Sequence, residues 1–313
     1  MSDREKERLT EAYIDRYNLA IKRFKLEKKD ALQYGAIEKR IWSVYGSSSQ
    51  TLAKLFLGQV SLRSQLGLAD RFIEAAYRAK DYLPYMESIF DEYGVPPVVT
   101  RMAFVESMFN IKAKSKAGAA GIWQFMPQTG KRYLRINELV DERLSPFKAT
   151  KAAAQFLKNS YGKLESWPLT ITSYNYGLNG ILKAVNRLNT RSLNSIIELY
   201  EAPNFQYASK NFYAEFVAAV NVYNTLVLLK KIPRPEDASN VKAFALKKRL
   251  SVDELVLSSG VDIEVFKKYN PCIRDKTFSS YKHVKLPFPY EVFLPSKLAS
   301  FVENRDEAHL MSR

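Results

Sequence analysis

Residues 232–236, IPRPE, constrain the fold more than any other stretch. Pro233 and Pro235 each lack a backbone donor, so no helix runs through them and the segment reads as a linker. Before it, apolar side chains recur at helical spacing: Leu9, Tyr13, Tyr17, Ala20 and Phe24, then Ile37, Ile41 and Tyr45 after a break near Gly35. A turn at 46–49 precedes further stripes through Leu52, Leu55, Phe56 and Val60, through Leu68, Phe72, Ala75 and Ala76, and over 83–93, ended by Gly94. Pro97 suits the first turn of a helix whose Val98, Met102, Val105 and Phe109 share a face. Short helices are expected from Pro127, from Pro146 to about Gly162, after Trp167, and at 181–188 and 193–200. A long one is expected over 211–229, with Phe212, Phe216, Ala219 and Tyr223 buried. After the linker the texture changes: strands are expected at 241–246, 284–287 and 291–294, with short helices at 252–258 and 263–268. The expected class is mainly α. A helical region at 1–90 packs on a helical domain at 91–231, and a small α+β lobe follows at 240–297, too short to be robust unless docked.

With 48 Lys and Arg against 33 Asp and Glu, the chain carries a formal charge of +15, so polyanions lead the list of partners. The cations are interleaved with acids, as in KLEKKD at 25–30, and no nucleic-acid-binding signature accompanies them. Nucleic acid is therefore not an expected partner. Cys272 is the single cysteine, and His283 and His309 stand far from any other candidate ligand. No metal, no cofactor and no cysteine or serine–histidine nucleophile is expected. No apolar run reaches the roughly 20 residues of a membrane span. The polar start, MSDREKERLT, has no signal-peptide core, so the expectation is either a cytosolic protein or an exported one whose signal has been removed.

The chemistry concentrates in residues 101–126, RMAFVESMFNIKAKSKAGAAGIWQFM. Stepping by ~100° per residue, Glu106 falls about 80° from Val98 and about 40° from Met102, at the edge of the apolar side of its helix, flanked in sequence by Phe104, Val105, Met108 and Phe109. An apolar setting disfavours the carboxylate and raises its pKa, as a proton donor working near neutrality requires. A glutamate ending an apolar helix is more often solvated or ion-paired than catalytic, and Trp123 is more often core than platform. The joint pattern is more telling. Cleaving a glycosidic bond needs an acid for the leaving oxygen, flat rings for sugars and amides for their hydroxyls. Glu106, Trp123, Gln124, Tyr174 and Asn175 supply those types, and Gly118, Gly121 and Gly177 permit close backbone approach. A second carboxylate is absent from the motif itself, with Asp91, Glu92, Asp141 and Glu142 the nearest acids.

In order along the chain, Glu106–Ser107, GAAGIWQ at 118–124 and Tyr174–Asn175 with Gly177 resemble the motif set of the family 1 lytic transglycosylases of glycoside hydrolase family 23, in the goose-type lysozyme-like superfamily. GLADRF at 67–72, YLPYM at 82–86, VDER at 140–143 and SKNFYAEF at 209–216 resemble the branch named for a membrane-bound lytic murein transglycosylase. The resemblance spans roughly residues 67 to 225. It implies a lysozyme-like helical catalytic domain, action on peptidoglycan glycan strands in the periplasm or at the cell wall, and a monomer. It also implies that Glu106 is the single acid/base. Glu106 would protonate the bond between N-acetylmuramic acid and N-acetylglucosamine, then deprotonate the muramyl C6 hydroxyl to close a 1,6-anhydro ring. By the same resemblance Ser107 supports the glutamate, Gly121, Trp123, Gln124 and Asn175 face sugar or peptide, and Tyr174 and Tyr213 line the site, Tyr213 hydrogen-bonded to Glu106. Ser173 replaces the usual alanine, and Tyr176 and Leu178–Asn179 also depart from the pattern, which leaves open a hydrolytic (lysozyme) outcome, including action on deacetylated glycan. A non-catalytic wall-binding role is the alternative from another class. The segment at 252–287 resembles, more weakly, a degenerate LysM module.

Overall fold

In the computed structural model, residues 3–26, 35–45, 54, 57, 69–232, 241–246, 248–279, 283–296 and 311–312 are described. The expected turn at 46–49, the stripe at 52–60 and the linker prolines lie outside them. The chain forms two units, Met1–Ala69 and Asp70–Arg313. In the first, α1 (Asp3–Leu26) and α2 (Ala36–Tyr45) pair through Ala20 and Ile41, with Tyr17, Ile21 and Ile37 packed against them.

The second unit is mainly helical. It comprises α3 (Ala69–Ala79), α4 (Leu83–Glu92), a 3₁₀ turn (Pro97–Arg101), α5 (Met102–Ser107), α6 (Pro127–Gly130), a second 3₁₀ turn (Glu142–Leu144), α7 (Pro146–Leu164), α8 (Trp167–Tyr176), α9 (Leu178–Leu188), α10 (Leu193–Leu199) and α11 (Tyr207–Leu228). Prolines open α4, α6, α7 and α8 where a missing donor costs nothing. Ser145 caps α7 by accepting from the Lys148 amide. The main core gathers Phe90, Phe104, Phe109 and Trp123, all fully buried, with Phe212, Phe216, Ala219 and Tyr223 of α11 closing one side. A satellite core around Leu169, Ile181, Ile196 and Phe205 joins α8, α9 and α10.

The expected helix through Val98 and Phe109 is two pieces. The 3₁₀ turn leaves Val98 exposed, α5 stops at Ser107, and Met108 and Phe109 both take left-handed backbone angles, φ 52° and 55°. The reversal turns Phe109 back into the core, fully buried against Phe104 with ring centroids 4.5 Å apart. That packing offsets the roughly 1–2 kcal/mol each left-handed residue costs.

The lobe runs β1 (Val241–Leu246), α12 (Val252–Ser259), α13 (Ile263–Tyr269), α14 (Asp275–Ser279), β2 (Glu291–Pro295) and β3 (Met311–Ser312). β1 is central and pairs antiparallel with both, from Val241↔Pro295 to Ala245↔Glu291 on one side and Leu246↔Met311 on the other. The strand expected at 284–287 is a single bridge, Ser251↔Lys285, because the segment pairs with residues 250–251, the Leu286 amide donating to the Leu250 carbonyl at 2.8 Å, and not with the sheet. Helix α14 had no counterpart in the periodicity. Asn270 is buried and ties α13 to β2: its amide nitrogen donates to the Phe293 carbonyl at 2.8 Å, and its oxygen accepts from the Phe293 amide at 2.9 Å. The lobe is docked on the helical domain. Val140 inserts into the lobe's core, the Asp141 amide donates to the Cys272 carbonyl at 2.8 Å, and Phe147 stacks on Phe293 at 4.7 Å. Among the described residues, no helix is long and apolar enough to cross a membrane.

Candidate active site

Glu106 stands in the last turn of α5, half-buried between the main core and helix α11. Burial first, and then the carboxylate of Glu215 on α11, push its carboxyl pKa from 4.5 up to about 8. Loss of hydration disfavours the ionised form, and a like charge nearby adds to that. No hydrogen bond reaches this carboxyl from the described residues. At neutral pH it is therefore a protonated acid with no protein acceptor for its proton.

Facing it is the glycine turn. Residues 113–125 fold on themselves through bridges Lys114↔Ala120 and Ala120↔Phe125, and the Gly121 amide donates to the Ala113 carbonyl at 2.9 Å. Gly121 has φ +79°, and a Cβ there would sit 1.8 Å from the Arg143 carbonyl oxygen, so no side chain fits. Arg143 clamps the turn. Its Nη1 donates to the carbonyls of Gly118 (2.8 Å) and Phe125 (3.1 Å), while Asp141 holds Nε and Nη2 at 2.9 and 2.8 Å. Both partners are buried, and the two-pronged geometry with further acceptors is what a buried ion pair needs.

Two successive carbonyls of the turn are held from opposite sides. Ser107 Oγ donates to the Ile122 carbonyl at 2.9 Å, and the Tyr174 hydroxyl donates to the Trp123 carbonyl at 2.8 Å. Burial first, and then the charge of Glu106, push the Tyr174 hydroxyl well above its ordinary pKa, which keeps it a donor beside the acid. Gln124, also left-handed at φ 46°, spends its side-chain nitrogen on the Gly121 carbonyl at 2.8 Å. Ser107→Ala leaves the buried Ile122 carbonyl unpaired. It is expected to cost about 1–3 kcal/mol in a denaturant titration, and a change inside ~0.5 kcal/mol would show the bond to be dispensable.

The structure brings Glu106, Ser107, Gly121 and Gln124 together with Tyr174. Asn175 is exposed at the end of α8, its side-chain oxygen accepting from Ser209 Oγ of α11 at 2.8 Å. Two expectations are corrected. Trp123 is fully buried, stacked on Phe90 at 5.4 Å with its indole nitrogen on Thr150 Oγ1 at 2.9 Å. It is a core residue and offers no ring face to a sugar. Tyr213 is half-buried near Phe216 and makes no hydrogen bond to Glu106. The acids left open are placed: Asp141 pairs with Arg143, Glu142 with Lys148 at 2.7 Å, and Asp91 and Glu92 are exposed. The carboxylate that does face Glu106, Glu215, was missed. Its position three residues after Phe212 and one before Phe216 puts it at the margin of the buried stripe, which is the signal that could have found it.

The family described as Transglycosylase SLT domain matches residues 85–197. Membrane-bound lytic murein transglycosylase D of Escherichia coli strain K12 is 23% identical over 232 residues, 72% of this chain and 51% of the relative. The putative tributyltin chloride resistance protein of Alteromonas sp. strain M-1 is 28% identical over 131 residues, 41% of this chain and 63% of that one. The chain thus spans about half the length of the Escherichia coli relative. Among solved structures, the lytic transglycosylase Slt of Pseudomonas aeruginosa is 16% identical with a TM-score of 0.40, covering 66% of this chain and 32% of that one.

Proposed function

We propose that this chain, which carries a transglycosylase SLT domain over residues 85–197, cleaves the glycan strand of peptidoglycan at the N-acetylmuramic acid–N-acetylglucosamine bond, with Glu106 as acid and then base. The observation that carries the reading is the carboxyl held protonated near neutrality, with no hydrogen-bond partner among the described residues, beside a turn whose carbonyls are locked in place. In the first half, Glu106 gives its proton to the glycosidic oxygen as the C1–O bond breaks and the sugar gains oxocarbenium character. In the second, the Glu106 carboxylate takes the proton of the muramyl C6 hydroxyl, whose oxygen bonds C1 and closes a 1,6-anhydro ring. The acid is regenerated and no water is consumed.

The acid must be protonated when substrate arrives. Glycan release is therefore expected to hold level through pH 6–7 and to fall about tenfold per unit above the carboxyl's pKa of about 8. The check is the pH dependence of kcat/KM on soluble glycan chains. A rise centred near an ordinary carboxyl value of 4.5, with no fall near 8, would mean that Glu106 works ionised, against this mechanism.

Glu215 favours a second reading of the same site, in which a carboxylate opposite the acid orients water and the outcome is hydrolysis. The two differ in product mass by one water. We assign the cleaved wall polymer as partner and the periplasm or cell wall as place of action. We further propose a helical region at 1–90, a catalytic domain at 91–231 and a degenerate LysM-like module at 240–297 as functional divisions, although residues 70–90 belong to the same compact unit as the catalytic domain. Ser107, Gln124, Tyr174, Asn175 and Tyr213 remain the proposed subsite residues, the first by holding the turn.

A further inference from the structure

A cleft of about 610 Å³, not lined by Glu106, lies between the helical domain and the lobe. One wall is α7, which presents Lys148, Lys151 and Gln155 at successive spacings of three and four residues, hence on one face. The second is the segment after α6, with Lys131, Tyr133 and Arg135. The lobe closes the third side with Pro289, Tyr290 and Glu291.

Four cations therefore meet two carboxylates, and the pairing is specific. Lys148 is buried, bonded to Glu142 at 2.7 Å and 3.5 Å from the centre of the Tyr290 ring. Lys151 pairs with Glu291 at 3.0 Å. Arg135 Nη1 donates to the Pro289 carbonyl, which carries no charge, and exposed Lys131 makes no ion pair among the described residues. Two positive charges in a walled cleft are left unanswered, which raises the local concentration of anions.

The cleft adjoins the proposed active site without being part of it. Tyr133 in its wall meets Phe156 edge-on at 6.4 Å, and Phe156 meets Tyr174 at 5.3 Å, so two ring contacts separate it from the ring beside Glu106. On its other side, at Tyr93, it meets a hollow of about 750 Å³ in which Tyr161 stacks on Trp167 at 4.5 Å next to Lys158 and Lys163. Aromatic faces with flanking cations suit an acidic glycopeptide better than a neutral sugar or a long phosphate backbone.

We infer that the cleft between α7 and the lobe is a second binding site, taking the carboxylates of the stem peptides carried by the wall glycan. The inference rests on the glycan-cleavage reading for its choice of anion. Lys131 and Arg135 receive carboxylates, and Tyr133 and Tyr290 pack against the peptide's apolar groups. The site holds a peptide-bearing strand to the enzyme independently of the bond being cut.

The test uses the full chain and a synthetic stem tetrapeptide, L-alanyl-γ-D-glutamyl-diaminopimelyl-D-alanine, by titration calorimetry at low ionic strength, where exposed charges are least screened. Lys131→Glu, at an exposed position without an ion pair, is expected to weaken binding at least fivefold with an unchanged Tm. Amidating the peptide's carboxylates is expected to weaken it as much. In turnover, the same substitution is expected to raise KM on peptide-bearing strands at least fivefold relative to strands stripped of peptide, at equal kcat. Equal tetrapeptide binding by both chains, no binding by either, or displacement of the peptide by equimolar inorganic phosphate would overturn the inference. Failure of the unaltered chain to cut peptide-stripped strands would instead overturn the glycan-cleavage reading, whatever the calorimetry shows.

Discussion

Glu106→Gln is expected to lower glycan release from purified sacculi by roughly a thousandfold or more and, at the same time, to stabilise the protein. The first effect follows from removing the proton donor, since general acid catalysis is worth roughly 10²–10⁴. The second follows from the sign of the pKa shift. The folded-state carboxyl titrates near 8 against an ordinary 4.5, so the folded protein binds the proton more tightly than the unfolded chain. The penalty is absent below the ordinary value, grows by about 1.4 kcal/mol per pH unit between the two, and is constant above the higher one. Near pH 7 it amounts to roughly 3 kcal/mol. The glutamine is neutral throughout. The Tm difference between variant and parent is therefore expected to be near zero at pH 4 and to widen to pH 8. An inactive variant with the parent's stability at every pH would detach the loss of activity from a buried, protonated acid.

Gly121→Ala is expected to be among the most damaging single-methyl additions in the chain, with a cost of about 4 kcal/mol or more. Its Cβ would meet the Arg143 carbonyl oxygen at 1.8 Å, and that oxygen is backbone, so relief requires moving the turn or the 141–144 segment. Moving either disturbs the Asp141–Arg143 clamp and the Ile122 and Trp123 carbonyls held by Ser107 and Tyr174. Gly118→Ala is the control. It too has a positive φ, +90°, but its Cβ would meet only Pro127 at 3.8 Å, ordinary contact. Only the left-handed strain of ~1–2 kcal/mol is expected there. Chemical denaturation of the two variants separates a steric requirement from a merely conformational one. Equal costs would show that the close approach to Arg143 is relieved without consequence.

The helical stripes were legible because each buries one face, so period alone located α4, α7 and α11. The place of Glu106 was reached through a helix line that included Val98, which the structure breaks and leaves exposed; its burial comes from tertiary packing beside α11. The stop at Ser107 was not. Met108 and Phe109 take left-handed angles without a glycine to signal them, and the cause is Phe109 packing on Phe104, a tertiary contact. Trp123 sat among the proposed sugar-binding residues because the motif groups it with Gln124, whereas adjacent residues in a turn can point to opposite sides. Here one fills the core and the other folds back onto the Gly121 carbonyl of the turn. Glu215, the Asp141–Arg143 clamp and the cleft against the lobe all depend on elements brought together only by folding. Charge patterning showed scattered lysines. It could not show that Lys148 and Lys151 would be answered by Glu142 and Glu291 while Lys131 would not.

The central claim is that Glu106 drives cleavage of the glycan strand with ring closure. Mass analysis of the soluble products from defined sacculi tests it most directly. The parent chain is expected to release disaccharide-peptides ending in 1,6-anhydromuramic acid, and Glu106→Gln to release none. Products heavier by one water would move the acceptor from the C6 hydroxyl to water and leave the acid in place. Peptide fragments from uncut glycan, or muropeptides from Glu106→Gln at the parent's rate, would contradict the account.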